Sequence, residues 1–233
     1  MKIVIKILLL FFIINFISVN VFAENIFFAN GKKNKKEIAL TFDDGPGKNT
    51  ENVLAILREK KVKATFFLLG SSIESRPYLL KDIAEDGHEI GSHTYGHVNF
   101  YKYKYSTSED YKILKNKISE DLLKTQKLIE KNIGQKPKLV RFPHGYMRPP
   151  ALDVARENGY KVINWSFGTD WNHFPSYEYL LGAYLEHAEP GAIFLMHDLS
   201  SNGLLIEMLP QLIELLRFVG YEFVTVSELL GFN

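Results

Sequence analysis

Short apolar runs alternate with amphipathic helical stretches along almost the whole of this chain, and that alternation narrows the choice of fold more than any other feature. Strand-like runs fall at 38–42, 64–69, 89–92, 139–141, 161–165, 192–196 and 222–226, with helical patterns between them at 50–60, 77–86, 109–131, 151–158, 177–187 and 204–219. Strands separated by helices are not joined as hairpins, so they lie parallel. Seven of them at short, regular spacing predict a (β/α)7 barrel rather than an open sheet. The longest helical stretch sets Lys115, Lys117, Glu120, Asp121, Lys124, Lys127, Glu130 and Lys131 against Ile113, Leu114, Ile118, Leu122, Leu123 and Ile129, as expected of an outer-ring helix with one solvated face.

Ahead of the alternating region, residues 1–23 combine Lys2 and Lys6, an apolar run over 7–19 broken only by Asn15 and Ser18, and Val21-Phe22-Ala23 before Glu24. This reads as a secretory signal with a small-residue cleavage site; the other reading is an uncleaved membrane anchor, since 3–22 is nearly long enough to span a bilayer. Both place the domain outside the cytoplasm, with the membrane reached only through the leader. Residues 24–36 are polar and rich in Lys and Asn, which predicts a linker, and 37–233 forms the domain. The chain has 233 residues, 46% hydrophobic and 24% charged, enough for one sizeable core. Its formal charge is +1, which the two leader lysines reduce to −1 for the remainder, so nucleic acid is not an expected partner. With no cysteine, the chain has no disulfides, thiol chemistry or Cys-ligated zinc, and any metal site is built from His, Asp and Glu.

In a parallel barrel the reactive side chains gather at the C-terminal ends of the strands. Asp43 and Asp44 follow the first strand-like run, His93 and His97 the third, Arg141 the fourth, Asp170 and Trp171 the fifth, and His197 and Asp198 the sixth. Adjacent carboxylates repel unless a cation holds one of them, and successive side chains on a strand point opposite ways. In Ser-His-Thr-Tyr-Gly-His, residues 92–97, two imidazoles four positions apart reach one cation if the segment turns like a helix; otherwise they are a pair of surface or hydrogen-bonding histidines. Either Asp43 or Asp44 would complete a set of two His and one Asp. Arg141 offers a rigid fork for a carboxylate such as Asp43, or makes an ordinary ion pair at the barrel rim. His197 with Asp170 fits a general acid held protonated near neutral pH, and His197 alone fits a satisfied core histidine. Trp171 and Leu195 are either core or the walls of a slot for a methyl group, and the aromatic stretch 100–105 either stacks on sugars or packs on its own tyrosines.

Thr-Phe-Asp-Asp-Gly-Pro at 41–46, Ser-His-Thr-Tyr-Gly-His at 92–97, Arg-Phe-Pro-His-Gly at 141–145, Asp170-Trp171 and Leu-Met-His-Asp at 195–198, in that order, resemble the polysaccharide deacetylases of the NodB-homology type, carbohydrate esterase family four. The resemblance runs from about residue 38 to the C-terminus. It implies a distorted (β/α)7 barrel and the hydrolysis of an N-acetyl group on an amino sugar. Position by position, it implies Asp43 as general base and Asp44, His93 and His97 as ligands of a divalent metal, usually zinc. Arg141 is then the tether of the base, His197 the general acid and Asp170 its tether. Trp171 and Leu195 line the acetyl pocket, and a backbone N–H near His144 or Gly145 holds the oxyanion. The sequence departs from the family where Phe142 and His144 replace a proline or small residue and an aromatic, and where Gly168 replaces an earlier aspartate. The expected partner is an N-acetylated glycan, peptidoglycan or a related cell-envelope polysaccharide, with chitin-type oligosaccharides or a silent glycan-binding barrel as alternatives. Two carboxylates alone would also allow a metal-free glycosidase, and two His with one carboxylate a non-haem iron oxygenase.

Overall fold

The strand at the centre of the sheet, Glu37–Asp43, reads Glu-Ile-Ala-Leu-Thr-Phe-Asp and is buried from Ile38 onward. Such a run is apolar on both faces because parallel strands are covered on both sides. The computed structural model of the protein describes residues 25–174, 176–198 and 203–232, so the leader lies outside the described residues. In chain order the elements are β1 (Phe27–Phe28), β2 (Glu37–Asp43), α1 (Thr50–Lys60), β3 (Thr65–Leu68), α2 (Gly70–Ser75), α3 (Pro77–Glu85), β4 (Glu89–Ser92) and α4 (Ser108–Ile133). There follow β5 (Leu139–Val140), α5 (Pro149–Glu157), β6 (Lys161–Ile163), β7 (Phe167–Gly168), α6 (Tyr177–Glu186), β8 (Ile193–His197), α7 (Gly203–Phe218), β9 (Glu222–Phe223) and α8 (Val226–Leu230).

The strands run in the order β1-β6-β5-β4-β3-β2-β8-β7, every described pairing is parallel, and β9 pairs separately with the start of β2. The sheet curls into a half-open, distorted barrel. Alternation along each strand sorts the side chains into two layers. Ile38, Leu40 and Phe42 join Phe66, Leu68, Phe194, Met196 and the helices in the outer core. Ala39, Phe67, Leu139, Ile163 and Ile193 face inward together. Asp43 and His197 are register partners at the ends of β2 and β8, so period-2 alternation delivers both to the same inner face.

The long helix forms where its pattern places it. Thr107 Oγ1 accepts from the Asp110 N–H at 3.0 Å, an Asp110 carboxylate oxygen accepts from the Thr107 N–H at 3.1 Å, and left-handed Gly134 ends the helix. Three local features differ from the sequence reading. The segment 24–36, read as a linker, contributes β1, which pairs with β6. The run 161–165 is split from an added strand, β7, which borders β8. The run 222–226 is a strand only at Glu222–Phe223, because Thr225 and Glu228 form a capping box that starts α8.

That last helix decides which end of the barrel is open. Val226 and Leu229 enter the inner cluster from the N-terminal side, Thr65 Oγ1 accepts from the Val226 N–H at 2.9 Å, and Glu89 accepts from the Ser227 N–H at 3.1 Å. The N-terminal end is plugged, and the C-terminal ends of the strands are left for the site. Replacing Thr225 with Ala removes the cap and is expected to lower stability by about 1 kcal/mol, seen as a lower Tm, with Ser restoring it. An unchanged Tm in the Ala variant would show that packing alone holds α8.

Candidate active site

The two adjacent carboxylates are separated by a change of backbone hand. Asp43 ends β2 in extended conformation with its side chain inward, whereas Asp44 has φ 70°, in the left-handed region that Asp tolerates better than most residues. The turn is then pinned. Leu69 donates its N–H to the Gly45 carbonyl at 2.9 Å and Ser72 Oγ donates to the Asp44 carbonyl at 3.2 Å. A Cβ on Gly45 would lie 2.5 Å from the Asp198 carboxylate, so this close approach requires glycine.

Around Asp44 the structure assembles a three-ligand set. His93 Nδ1 lies 2.7 Å from the Arg141 carbonyl, which fixes the proton there and leaves Nε2 as the free donor atom. Nε2 of His93 and Nε2 of His97 lie 3.4 and 3.3 Å from Asp44 Oδ1, and the three ligand atoms fall within 4.8 Å of one another. Asp44 Oδ1 is buried and has no hydrogen-bond partner among the described residues. An orphaned carboxylate oxygen facing two imidazoles fits a divalent cation. The charge states fit as well. Burial raises the Asp44 carboxyl, but the closeness of the His93 imidazole, with His97 and His197 beyond, outweighs it and holds the carboxyl below the usual carboxylate range, so a proton among these groups belongs to the histidine side of the set and not to the carboxylate. Burial lowers His97 despite the opposing charge of Asp44. A carboxylate and neutral imidazoles are the forms that bind metal. The convergence of the imidazoles differs from a helical turn: the segment is irregular, and the left-handed residues are Thr94 (φ 63°) and His97 (φ 51°), not Gly96.

Arg141 is completely buried beneath this set. Its Nη1 donates to Asp43 Oδ1 at 2.7 Å and to Thr41 Oγ1 at 2.8 Å, while Nε and Nη2 donate to the carbonyls of Ile163 and Asn164 at 3.1 and 3.0 Å. Its guanidinium stacks 4.1 Å from the centre of the Phe67 ring. Burial lowers the Arg141 pKa and Asp43 opposes the shift. A guanidinium with four acceptors has lost its torsional freedom, so Asp43 is held in one orientation.

Across the cavity, His197 Nδ1 lies 2.8 Å from Asp170 Oδ1, and the His197 N–H donates to Asp170 Oδ2 at 2.7 Å. Burial opposes a charge on His197, but the Asp170 hydrogen bond and carboxylate, with Asp43 and Asp44 adding to them, push its pKa up to about 9. Its Nε2 side belongs to a cavity of about 400 Å³ that also takes in Asp43, Asp44, His93, His97, His144, Leu195 and Trp171. Leu195 is buried, whereas Trp171 is 53% exposed and stands edge-on to His197. Trp165 lines the same cavity, a position that the sequence reading left in a strand. Of the two residues expected near the oxyanion, Gly145 donates its N–H to the Phe142 carbonyl at 3.1 Å. The His144 N–H has no such acceptor among the described residues, and left-handed His144 packs its ring edge-on to His97.

A family model for polysaccharide deacetylases matches residues 30–163. A peptidoglycan-N-acetylglucosamine deacetylase of Bacillus cereus is 37% identical over 205 residues, covering 86% of this chain and 91% of its own length. The peptidoglycan-N-acetylglucosamine deacetylase PgdA of Listeria monocytogenes is 40% identical over 201 residues, 85% of this chain but 40% of that longer protein. Among solved structures, the Bc1960 peptidoglycan N-acetylglucosamine deacetylase superposes with a TM-score of 0.80 at 32% identity, over 90% of this chain and 94% of its own. A CE4 family pseudoenzyme from Bacillus anthracis superposes with a TM-score of 0.75 at 30% identity, over 86% of this chain and 67% of its own, so the fold by itself does not carry activity. Taken with the curled parallel sheet and the three-ligand set at its C-terminal end, these matches show that the chain belongs to the polysaccharide deacetylases of the NodB-homology type, carbohydrate esterase family four.

Proposed function

We propose that this protein is a divalent-metal-dependent hydrolase that removes the acetyl group from N-acetylated amino sugars of peptidoglycan, working outside the cytoplasm with zinc as its metal. The observation that carries the reading is one cavity in which Asp44, His93 and His97 face an Arg141-held Asp43 on one side and an Asp170-held His197 on the other. The B. cereus and L. monocytogenes relatives support peptidoglycan as the glycan.

Asp44, His93 and His97 would hold a divalent ion, which when bound would supply Lewis-acid polarisation of an acyl carbonyl and acidification of water. Asp43 accepts the proton of the attacking water on Oδ2, the oxygen that Arg141 does not engage. The His144 N–H donates to the developing oxyanion. His197, protonated through Asp170, gives a proton to the leaving nitrogen from Nε2, releasing acetate and a free amino sugar. Leu195 and Trp171 wall the acetyl methyl and exclude water from it.

The purified protein is expected to release acetate from peptidoglycan, to lose that activity on chelation and to regain it with zinc. Assaying N-acetylglucosamine oligomers in parallel decides between cell-wall and chitin-type substrates. New reducing ends without acetate would point to a glycosidase and sink the proposal.

A further inference from the structure

We infer that Arg148, presented on the face of Tyr101, which is tied to the chain beside cavity-lining His144, recognises a carboxylate on the glycan strand near the reacting amino sugar. The inference deepens the peptidoglycan reading and rests on it. Arg148 is the residue before α5, it makes no side-chain cap, and it is exposed. A cation at a helix N-terminus meets the positive end of the macrodipole, so the helix gains nothing from this arginine. Arg148 has no carboxylate partner among the described residues. Its guanidinium Cζ lies 5.1 Å from the Tyr101 ring centre. A guanidinium stacked on an aromatic ring keeps its N–H edge turned outward and pre-oriented, ready for a carboxylate.

The platform under it is rigid and tied to the site. Phe100 is fully buried against Tyr146, and Tyr101 stands edge-on to the same Tyr146 ring. The Tyr101 hydroxyl donates to the Gly145 carbonyl at 3.2 Å, next to His144 in the cavity wall. The stretch 100–105 therefore packs on its own tyrosines and still leaves Tyr101 41% exposed. Beside it, Lys117 Nζ lies 5.3 Å from the Tyr103 ring centre, adding a second cation on an aromatic face. Trp171, which lines the cavity and is half-exposed, presents an uncharged indole. A strand bound at the cavity can thus meet a neutral aromatic at Trp171 and a cationic one at Tyr101. Peptidoglycan carries carboxylates, on the lactyl ether of alternate sugars and on its stem peptides, whereas chitin carries none.

The test compares wild-type enzyme with Arg148→Gln on intact peptidoglycan fragments, on the same strands stripped of peptides, and on neutral N-acetylglucosamine oligomers. The ratio of kcat/KM on carboxylate-bearing over neutral glycan is expected to fall about tenfold, through KM. Arg156→Gln, which removes the same charge from a surface ion pair with Asp153, is expected to leave that ratio in place. A fall that persists on stripped strands assigns the lactyl carboxylate, and one confined to intact fragments assigns the peptide. An unchanged ratio, or an equal loss on all three glycans, overturns the inference. If the wild type releases no acetate from any glycan, the deacetylase reading fails separately. Calorimetric binding of stripped strands against neutral oligomers, with and without Arg148, then still decides this one.

Discussion

Replacing Asp43 with Asn is expected to lower kcat by about 10²–10⁴-fold while one divalent ion per chain remains bound. Asparagine keeps an oxygen for Arg141 Nη1, which now sits 2.7 Å from Asp43 Oδ1, but it has no basic oxygen to take the water's proton. Arg141 loses its charged partner, yet keeps Thr41 and the Ile163 and Asn164 carbonyls, so the loss falls below the roughly 3–5 kcal/mol of a buried ion pair cut on one side. His93→Ala gives the opposite pattern. It deletes a ligand atom 3.4 Å from Asp44 Oδ1, and metal content and turnover are expected to vanish together. Metal analysis alongside acetate release separates the two. Loss of metal from Asp43→Asn, with metal retained in an Asp44 variant, would reverse the roles of the neighbouring carboxylates.

The residues alone leave Asp43 and Asp44 equal candidates for the metal carboxylate, and only the family resemblance divides their roles; what strand geometry makes legible is where the reactive side chains gather. Asp43, Arg141 and His197 end or immediately follow apolar runs long enough to show in the sequence, and alternation then places Asp43 and His197 on the inner face of paired strands. Features without a period were not legible. Phe27–Phe28 and Phe167–Gly168 are two-residue strands, too short to repeat anything, and they exist because neighbouring strands offer unpaired edges. Trp165 looked like the end of a strand and lines the cavity instead, since a tryptophan at a strand end reads alike in core and wall. The oxyanion donor could not be chosen between His144 and Gly145 from spacing alone. The Gly145 N–H is engaged by Phe142 in a tight turn that only coordinates reveal. The helix start at Thr225 was readable in principle: Thr-Val-Ser-Glu is a capping-box pattern, overlooked because the apolar run ahead of it suggested a strand.

The basic limb of the pH–activity profile is expected to belong to His197 and to move to lower pH in Asp170→Asn. In the metal-free protein, burial works against the imidazolium, but the Asp170 hydrogen bond and charge, then Asp43 and Asp44, raise its pKa from the ordinary 6.5 to about 9. The acid form of His197 therefore persists through neutral pH, and turnover falls as pH rises through the folded pKa. A divalent ion held at Asp44 would offset that carboxylate's charge and so move the limb to lower pH. Removing the Asp170 charge leaves burial less opposed, and at pH 7.5 the variant is expected to hold a minor fraction of protonated His197 and to turn over about tenfold more slowly, in line with a limb shifted by one pH unit or more. Stability follows the same sign. A group whose folded pKa is raised stabilises the fold fully below the unfolded value of 6.5 and loses that contribution as pH rises through about 9. The gap between these values corresponds to about 3 kcal/mol, an upper figure for a side chain that is 21% exposed. Thermal melts of the metal-free protein should accordingly show wild type well above Asp170→Asn at pH 6 and the two converging by pH 10. A basic limb that stays in place when Asp170 is neutralised would remove His197 from the role of general acid and assign that limb to another group in the cavity.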